Sequence, residues 1–240
     1  MNAKQVTQAT YCRAETDRTF FNTLKMTGGV NRFFCWRQVT PLDKQTVVRM
    51  NKDTLYAAAI VDTAKGATLT VPEMPDGRYC SVMLVDNDHF SAGVIYTSGR
   101  HELPRDTKYL GVLARIQLLR PDDPADVALV NSLQDKLVVE AGSADPFPGP
   151  EWDLKALDEL KAKYNAEFAK YDKYPDGWMD VRGKADENTR HLACAGAWGL
   201  FPNRDAVYIN YNGRLPADRC HRATYRVPEN DAFWSITVYG

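Results

Sequence analysis

The chain has 240 residues, of which 44% are hydrophobic and 25% are charged. This composition is typical of an ordinary globular protein and excludes both a wholly disordered chain and a bundle of membrane-spanning helices. Lys and Arg total 30 against 31 Asp and Glu, a formal net charge of -1, so the chain offers no broad basic field and we expect no nucleic-acid partner.

The N-terminus and the cysteines indicate a cytoplasmic protein. Residues 1–8 lack the apolar core of a secretory signal, and no apolar stretch approaches the roughly 20 residues that a membrane span needs. The five cysteines are widely spaced and include no Cys-x-x-Cys pair, which argues against a disulfide framework or a zinc knuckle. We therefore expect reduced, mostly buried thiols and no membrane span.

The first half of the chain is predicted to form a helix followed by antiparallel strands. Residues 10–26 contain few helix breakers, and the following Gly28-Gly29 suits a left-handed C-cap. Alternation along residues 112–119 leaves one face wholly apolar and the other mixed, as on the wall of a β-sandwich. Other short runs rich in Val, Ile, Tyr and Thr predict strands at residues 45–48, 54–61, 67–71 and 79–85.

The second half is predicted to hold two helices and then further strands. Asp123 precedes a proline and an apolar-periodic segment, which predicts an N-capped helix, and a second helix is expected over residues 153–171. The small residues of segment 189–200 allow close backbone packing. The Pro-rich stretch 144–150 predicts a boundary between modules 1–145 and 146–240. Strands are expected at residues 207–211, 223–227 and 233–239.

Several blocks of the sequence resemble known bacterial domains. The segment Asn-Lys-Asp-Thr-Leu-Tyr at residues 51–56 resembles the signature of domain of unknown function 1254. Blocks at residues 77–82, 86–90, 114–116 and 131–135 agree with the same domain in order. The C-terminal half resembles the companion domain of unknown function 1214 through blocks at residues 190–192, 197–199, 205–208 and 231–239.

The resemblance implies a mainly β fold with added helices (α+β), in which an N-terminal antiparallel β-sandwich is followed by a jelly-roll-like module. It implies no particular reaction. Because related sequences usually continue beyond residue 240, the second module is expected to be truncated. A truncated sheet would present an unpaired edge, which predicts association into a homo-oligomer through that edge.

Two histidines beside charged residues are the candidate chemical groups. Asp88 and His89 follow a predicted strand, and a carboxylate can orient an imidazole as a general base, so both are candidate catalytic residues. The alternative is an Asx-type turn in which the acids bind their own backbone. Arg190 and His191 are candidate ligand-binding residues, with a packing histidine as the alternative.

The segment at residues 51–56 supplies three further candidates. Asn51, Asp53 and Tyr56 are candidate ligand-binding residues, as the polar floor of a cleft. The favoured alternative is structural: Asp53 accepts two backbone N–H groups and fixes a turn.

The sequence lacks several motifs that would identify a class of enzyme. The sequence has no phosphate-binding loop, no Gly-x-Ser-x-Gly and no His-Glu-x-x-His. With four histidines in all, we expect no bound metal and no cofactor. The favoured hypothesis is an enzyme or ligand-processing protein that acts on a small polar or anionic molecule in a cleft between two β modules. The alternative is a non-catalytic module that binds carbohydrate, lipid or a second copy of the chain.

Overall fold

The structure is a computed structural model that describes residues 3–39, 51–210, 215–216, 218–227 and 229–236. The strand predicted at residues 45–48 and the end of the one predicted at 233–239 lie outside this range. None of the helices described is both long and apolar enough to cross a membrane. The helices are α1 (Gln8–Thr27), α2 (Pro124–Gln134), α3 (Leu154–Phe168) and α4 (Arg190–Gly196). The strands are β1 (Phe34–Cys35), β2 (Thr54–Asp62), β3 (Ala67–Val71), β4 (Cys80–Asp86), β5 (Ser91–Ile95), β6 (Gly99–Glu102), β7 (Tyr109–Gln117) and β8 (Val138–Ala141).

Capping residues set the ends of the first two helices. Gly28 adopts a left-handed φ of 72° and donates its N–H to the carbonyl of Leu24 at 2.9 Å, which confirms the predicted C-cap. The side chain of Asp123 accepts the N–H of Ala125 at 2.9 Å, which confirms the predicted N-cap of α2. These local interactions place both helix ends within about two residues of the predicted positions.

The strands form two antiparallel sheets. The larger sheet has the order β1-β2-β7-β4-β5 and the smaller one the order β6-β3-β8. Strand β7 lies at the centre of the larger sheet, paired with β2 on one side and β4 on the other. The mainly β fold with added helices is therefore confirmed.

The first hydrophobic core lies between the two sheets. Val112, Ala114 and Ile116 are buried on this face of β7, as the alternation in the sequence predicts. Leu69 from the smaller sheet and Leu133 from α2 belong to the same core. The larger sheet thus presents one wholly apolar face inward.

The second core covers part of the opposite, outer face of the larger sheet. Met83 and Val85 of β4 pack there with Tyr11 of α1, Leu157 of α3 and Leu192 of α4. Helix α1 and helices α3 and α4 come from opposite sides of the predicted boundary at residue 145, yet they share this core. The division into two modules stays a prediction.

Small residues bring α4 close to α3, as the sequence analysis expected. A Cβ atom added at Gly196 would lie 2.3 Å from the ring of Phe168. That distance is far inside van der Waals contact, so only glycine fits here without a shift of the ring.

The C-terminal strands are the main departure from prediction. The described residues of 207–211, 223–227 and 233–239 form no strand, and Ile209 makes only an isolated bridge to Lys173. The expected jelly-roll-like module is therefore absent from the described part of the C-terminal half. Strand propensity depends on neighbouring strands and burial, and Val207 and Trp234 have neither, with exposed fractions of 58% and 52%.

Leu133 anchors α2 to the first core and offers a direct test of the packing. Its side chain is 3% exposed, so we expect Leu133→Ala to lower the free energy of unfolding by about 2 to 5 kcal/mol through lost contacts and a residual cavity. Urea unfolding followed by circular dichroism measures the loss. Leu119→Ala, at a position 43% exposed, is the matched control with an expected loss below about 0.5 kcal/mol. Equal losses in both variants would contradict the burial of Leu133.

Candidate functional site

The Asp86 carboxylate fixes the backbone of the loop from Asp86 to Phe90. The Asp86 carboxylate accepts the backbone N–H groups of Asp88 and Phe90, each at 2.9 Å. His89 adopts a φ of 64° in this turn, an uncommon left-handed conformation for a residue other than glycine. This is the Asx-type turn that the sequence analysis held as the alternative.

Asp88 is paired with two arginines from other parts of the chain. Its carboxylate accepts hydrogen bonds from Arg13 at 3.1 Å and from Arg182 at 2.9 Å. Burial opposes the charge, but the hydrogen bonds from Arg182 and Arg13 outweigh it and hold the pKa of Asp88 below its ordinary value. Asp88 is thus an ionised anchor between α1 and the segment that precedes α4.

His89 is almost fully buried and has different partners. Its Nε2 accepts the N–H of Gly199 at 3.2 Å, and its ring lies 5.5 Å from that of Trp198 between centroids. Burial, assisted by the positive charge of Arg190, lowers the pKa of His89 to about 3, so the imidazole is neutral at physiological pH. These contacts give Asp88 and His89 structural roles. Their catalytic role stays a prediction.

Arg190 joins the two sequence blocks that carry the candidate histidines. Its Nη1 donates to the carbonyl oxygen of Asp88 at 2.9 Å, and its guanidinium lies 3.9 Å from the centroid of the Phe90 ring. Its Nε donates to Glu187 at 2.8 Å. The fold therefore brings blocks about one hundred residues apart into direct contact, with the Arg190 charge already balanced by a carboxylate.

His191 points into different surroundings from His89. Its ring lies 4.3 Å from that of Tyr164, and burial lowers its pKa. It lines a surface pocket of about 280 Å³, which we call the α4 pocket. The pocket is lined by Gln8, Ala9, Cys12, Glu187, Arg190 and His191.

Asn51 and Asp53 belong to the turn that begins β2. The Asn51 side chain accepts the N–H of Thr54 at 3.1 Å and its hydroxyl at 2.9 Å. The backbone carbonyl of Asp53 accepts the N–H of Leu118 at 2.8 Å. Among the described residues, the side chain that accepts hydrogen bonds in this turn is that of Asn51, whereas Asp53 was expected to do so. As ligand-binding residues both stay predictions.

Tyr56 lies on the outer face of the larger sheet, beside a residue that the sequence analysis did not single out. In the strand register Arg115 of β7 stands between Tyr56 of β2 and Ser81 of β4. Ser81 is at the opposite end of β4 from the loop that holds His89. The candidates therefore divide between two places, the α4 region and this part of the sheet.

Arg115 packs against aromatic rings on the outer face of the larger sheet. Its guanidinium carbon lies 3.8 Å from the centroid of the buried Phe201 ring, and Tyr208 lies beside it. We define the Arg115 site as Arg115, Tyr56, Ser81, Phe201 and Tyr208. Burial raises the pKa of Tyr208 although Arg115 opposes this shift, so its hydroxyl stays protonated at neutral pH and can donate.

Arg115 is half-buried and, unlike the buried Arg78 and Arg190, has no counter-ion among the described residues. Arg78 pairs with Asp126, and Arg190 with Glu187. Within the part of the chain that the structure describes, no carboxylate lies within 4.0 Å of the Arg115 guanidinium. Arg115 Nε and the Ser81 hydroxyl are also buried there without a hydrogen-bond partner. Unpaired buried polar groups of this kind are costly and rare.

A comparison with protein families gives one match. Residues 30–110 match the family described as protein of unknown function (DUF1254). This range holds the Asn51–Tyr56 segment and the loop with His89, which carried the resemblance in the sequence. It covers less than half of the chain, and the resemblance of the C-terminal half to domain 1214 stays a prediction. None of the curated proteins compared with the chain matches it significantly.

Solved structures support the fold alone. The VPA0106 protein from Vibrio parahaemolyticus has 14% sequence identity and a TM-score of 0.58, over 82% of this chain and 66% of that protein. The chain thus spans slightly less than two thirds of that structure's length. A putative uncharacterized protein from Burkholderia cenocepacia has 16% identity and a TM-score of 0.38, over 78% of this chain and 56% of that one.

Proposed function

We propose that the protein binds a small anionic molecule at the Arg115 site. The observation that carries the proposal is the half-buried Arg115, whose Nε is buried without a hydrogen-bond partner and whose guanidinium meets no carboxylate among the described residues. Removing a cation from water is costly unless an opposite charge compensates it. A carboxylate or phosphate group seated on Arg115 would supply that charge.

The neighbours of Arg115 suit an oxyanion. A guanidinium binds carboxylate and phosphate oxygens through strong charge-assisted hydrogen bonds. The unsatisfied Ser81 hydroxyl and the protonated Tyr208 hydroxyl offer two further donors. This arrangement supports the small anionic ligand expected from the sequence, at a place where only Tyr56 was a candidate.

The proposal concerns binding and leaves the reaction open. A ligand-processing enzyme and a ligand-binding protein both need such a site, and the described residues at Arg115 provide recognition rather than an evident nucleophile or general base. The alternative of carbohydrate, lipid or self-binding stays a prediction.

Arg115→Met tests the proposal because methionine keeps much of the packing on Phe201 and removes the charge. We expect acetate or inorganic phosphate, titrated at constant ionic strength, to raise the melting temperature of the wild type in a saturable way, since a ligand at 100 times its Kd adds about 2.7 kcal/mol. The variant should show no rise. Without added anion it should be about as stable as the wild type, because the half-buried charge that is removed has no carboxylate partner among the described residues.

Arg120→Met is the matched control, with the same loss of charge at a side chain that is 71% exposed. It should retain the anion-dependent rise. An equal rise in Arg115→Met and the wild type would refute the proposal. A rise that survives Arg115→Met but disappears in His191→Gln would instead place the site in the α4 pocket.

A further inference from the structure

Helices α1 and α4 bring together two cysteines that are 182 positions apart in the sequence. Cys194 is fully buried, and its Sγ lies 3.9 Å from the carbonyl oxygen of Cys12. The Cys194 sulfur therefore lies against the backbone of Cys12 in the second core, and both cysteines are reduced in this structure.

The two thiols differ in access. Cys12 forms part of the wall of the α4 pocket beside Arg190 and His191, whereas Cys194 does not line it. A small molecule that enters the pocket meets Cys12 first. Cys194 is fully buried outside the pocket lining, so we expect it to react only with a group already attached to Cys12.

The electrostatic surroundings favour reaction at Cys12. The hydrogen bond from Cys194 lowers the pKa of Cys12, and the positive charge of Arg190 acts in the same direction against burial. Burial raises the pKa of Cys194, so this residue remains the protonated donor. The thiolate is the reactive form in exchange with disulfides.

We propose that Cys12 and Cys194 form a thiol–disulfide exchange site for a small disulfide that enters the α4 pocket. The Cys12 thiolate attacks one sulfur of the disulfide, whose S–S bond breaks and releases one thiol, leaving a mixed disulfide on Cys12. Cys194 gives up its proton to the departing sulfur, attacks the Cys12 sulfur, breaks the mixed disulfide and releases the second thiol. The two cysteines are oxidised to one disulfide, and the small disulfide is reduced to two thiols that carry away the two cysteine protons.

The product would tie α1 directly to α4. The Cys194 Sγ already lies 3.9 Å from the Cys12 carbonyl oxygen, and the disulfide would bring the two sulfur atoms to about 2.05 Å. The bond would link an N-terminal helix to the C-terminal half across the second core, and such a link restricts the unfolded chain. Oxidation should therefore raise the melting temperature.

Oxidised glutathione is the probe, and a Cys220→Ser background removes the exposed thiol that would react without selectivity. After incubation, alkylation and peptide mapping by mass spectrometry, we expect a peptide cross-linked between Cys12 and Cys194. When Cys194→Ser is added to the Cys220→Ser background, glutathione should stay attached to Cys12. Cys12→Ser should abolish both products, whereas Cys80→Ser, which removes a buried thiol in the first core, should change neither.

The peptide map can contradict the proposal even when neither Cys12 nor Cys194 is substituted. Absence of the cross-linked peptide in the folded Cys220→Ser protein would overturn it, as would glutathione on Cys194 with Cys12 free. Circular dichroism of each variant separates loss of exchange from loss of fold. Arg115→Met should exchange normally, so this inference stands or falls independently of the anion site.

Discussion

Val82→Asp is expected to abolish cooperative folding. Val82 is fully buried in β4, between Ala114 of β7 and Ile95 of β5, and its side chain belongs to the first core. A carboxylate placed there has no cation or donor to meet it and loses its hydration. The cost exceeds about 4 kcal/mol, the range reserved for buried unpaired charges, against a total stability of about 5 to 15 kcal/mol. Leu55→Asp in β2, at 1% exposure, should behave alike.

Val138→Asp provides the matched control for that result. Val138 lies in β8 and is 46% exposed, so the same substitution leaves the new carboxylate in water. Thermal unfolding followed by circular dichroism should show a sharp transition for Val138→Asp and none for Val82→Asp. A soluble Val82→Asp variant that melts cooperatively would mean that this face of β4 is not in the core.

The elements with strong local signals could be predicted from the sequence. Helix α2 follows from the Asp123 cap, α1 from its Gly28 terminus, and the buried face of β7 from the alternation at residues 112–118. Each of these signals depends only on residues close together in the sequence, so it can be recognised without knowing the rest of the fold.

The described residues of the predicted C-terminal strands form no strand, because alternation alone does not make one. Residues 233–236 alternate in the sequence, yet in the structure they form no strand, and Ile236 is 55% exposed. A strand is stable only when a neighbouring strand satisfies its backbone and a second layer covers a face. The partner strands of a jelly-roll cannot be read from the segment itself.

The candidate site also depended on information that the linear sequence lacks. Asp88 and His89 are adjacent, but the left-handed turn at His89 directs them to different partners. Arg115 becomes notable only when the strand register sets it between Tyr56 and Ser81, with no carboxylate near it among the described residues. An arginine on the mixed face of a central strand was the one available signal.

The ion pair between Arg78 and Asp126 shows a buried cation whose charge is compensated, although Arg78 Nε, like Arg115 Nε, has no hydrogen-bond partner. Both side chains are 1% exposed, and Arg78 Nη2 donates to Asp126 at 2.6 Å. The same carboxylate accepts the N–H of Arg120 at 2.9 Å. The pair ties the first turn of α2 to the start of β4, and its two charges compensate each other where Arg115 has no such partner.

Asp126→Ala is accordingly expected to lower the free energy of unfolding by about 3 to 5 kcal/mol, because Arg78 is left buried and uncompensated. Asp135→Ala is the control, since its ion pair with Arg37 is exposed and should contribute at most about 1 kcal/mol. Urea unfolding near neutral pH measures both losses. Equal, small losses would show that Arg78 reaches water or another acceptor when Asp126 is removed.

The ion pair between Arg78 and Asp126 also predicts how the stability lost in Asp126→Ala depends on pH. The hydrogen bond from Arg78 is the main reason that the pKa of Asp126 lies below its ordinary value, with burial opposing it. A carboxyl whose pKa is lower in the folded than in the unfolded state stabilises the fold fully above its unfolded pKa of about 3.9 and progressively less as the pH falls through the folded value. The stability difference between the wild type and Asp126→Ala should therefore be constant near neutral pH and shrink in acid below about pH 4. A difference that instead grew on acidification would contradict an ionised Asp126 bound to Arg78.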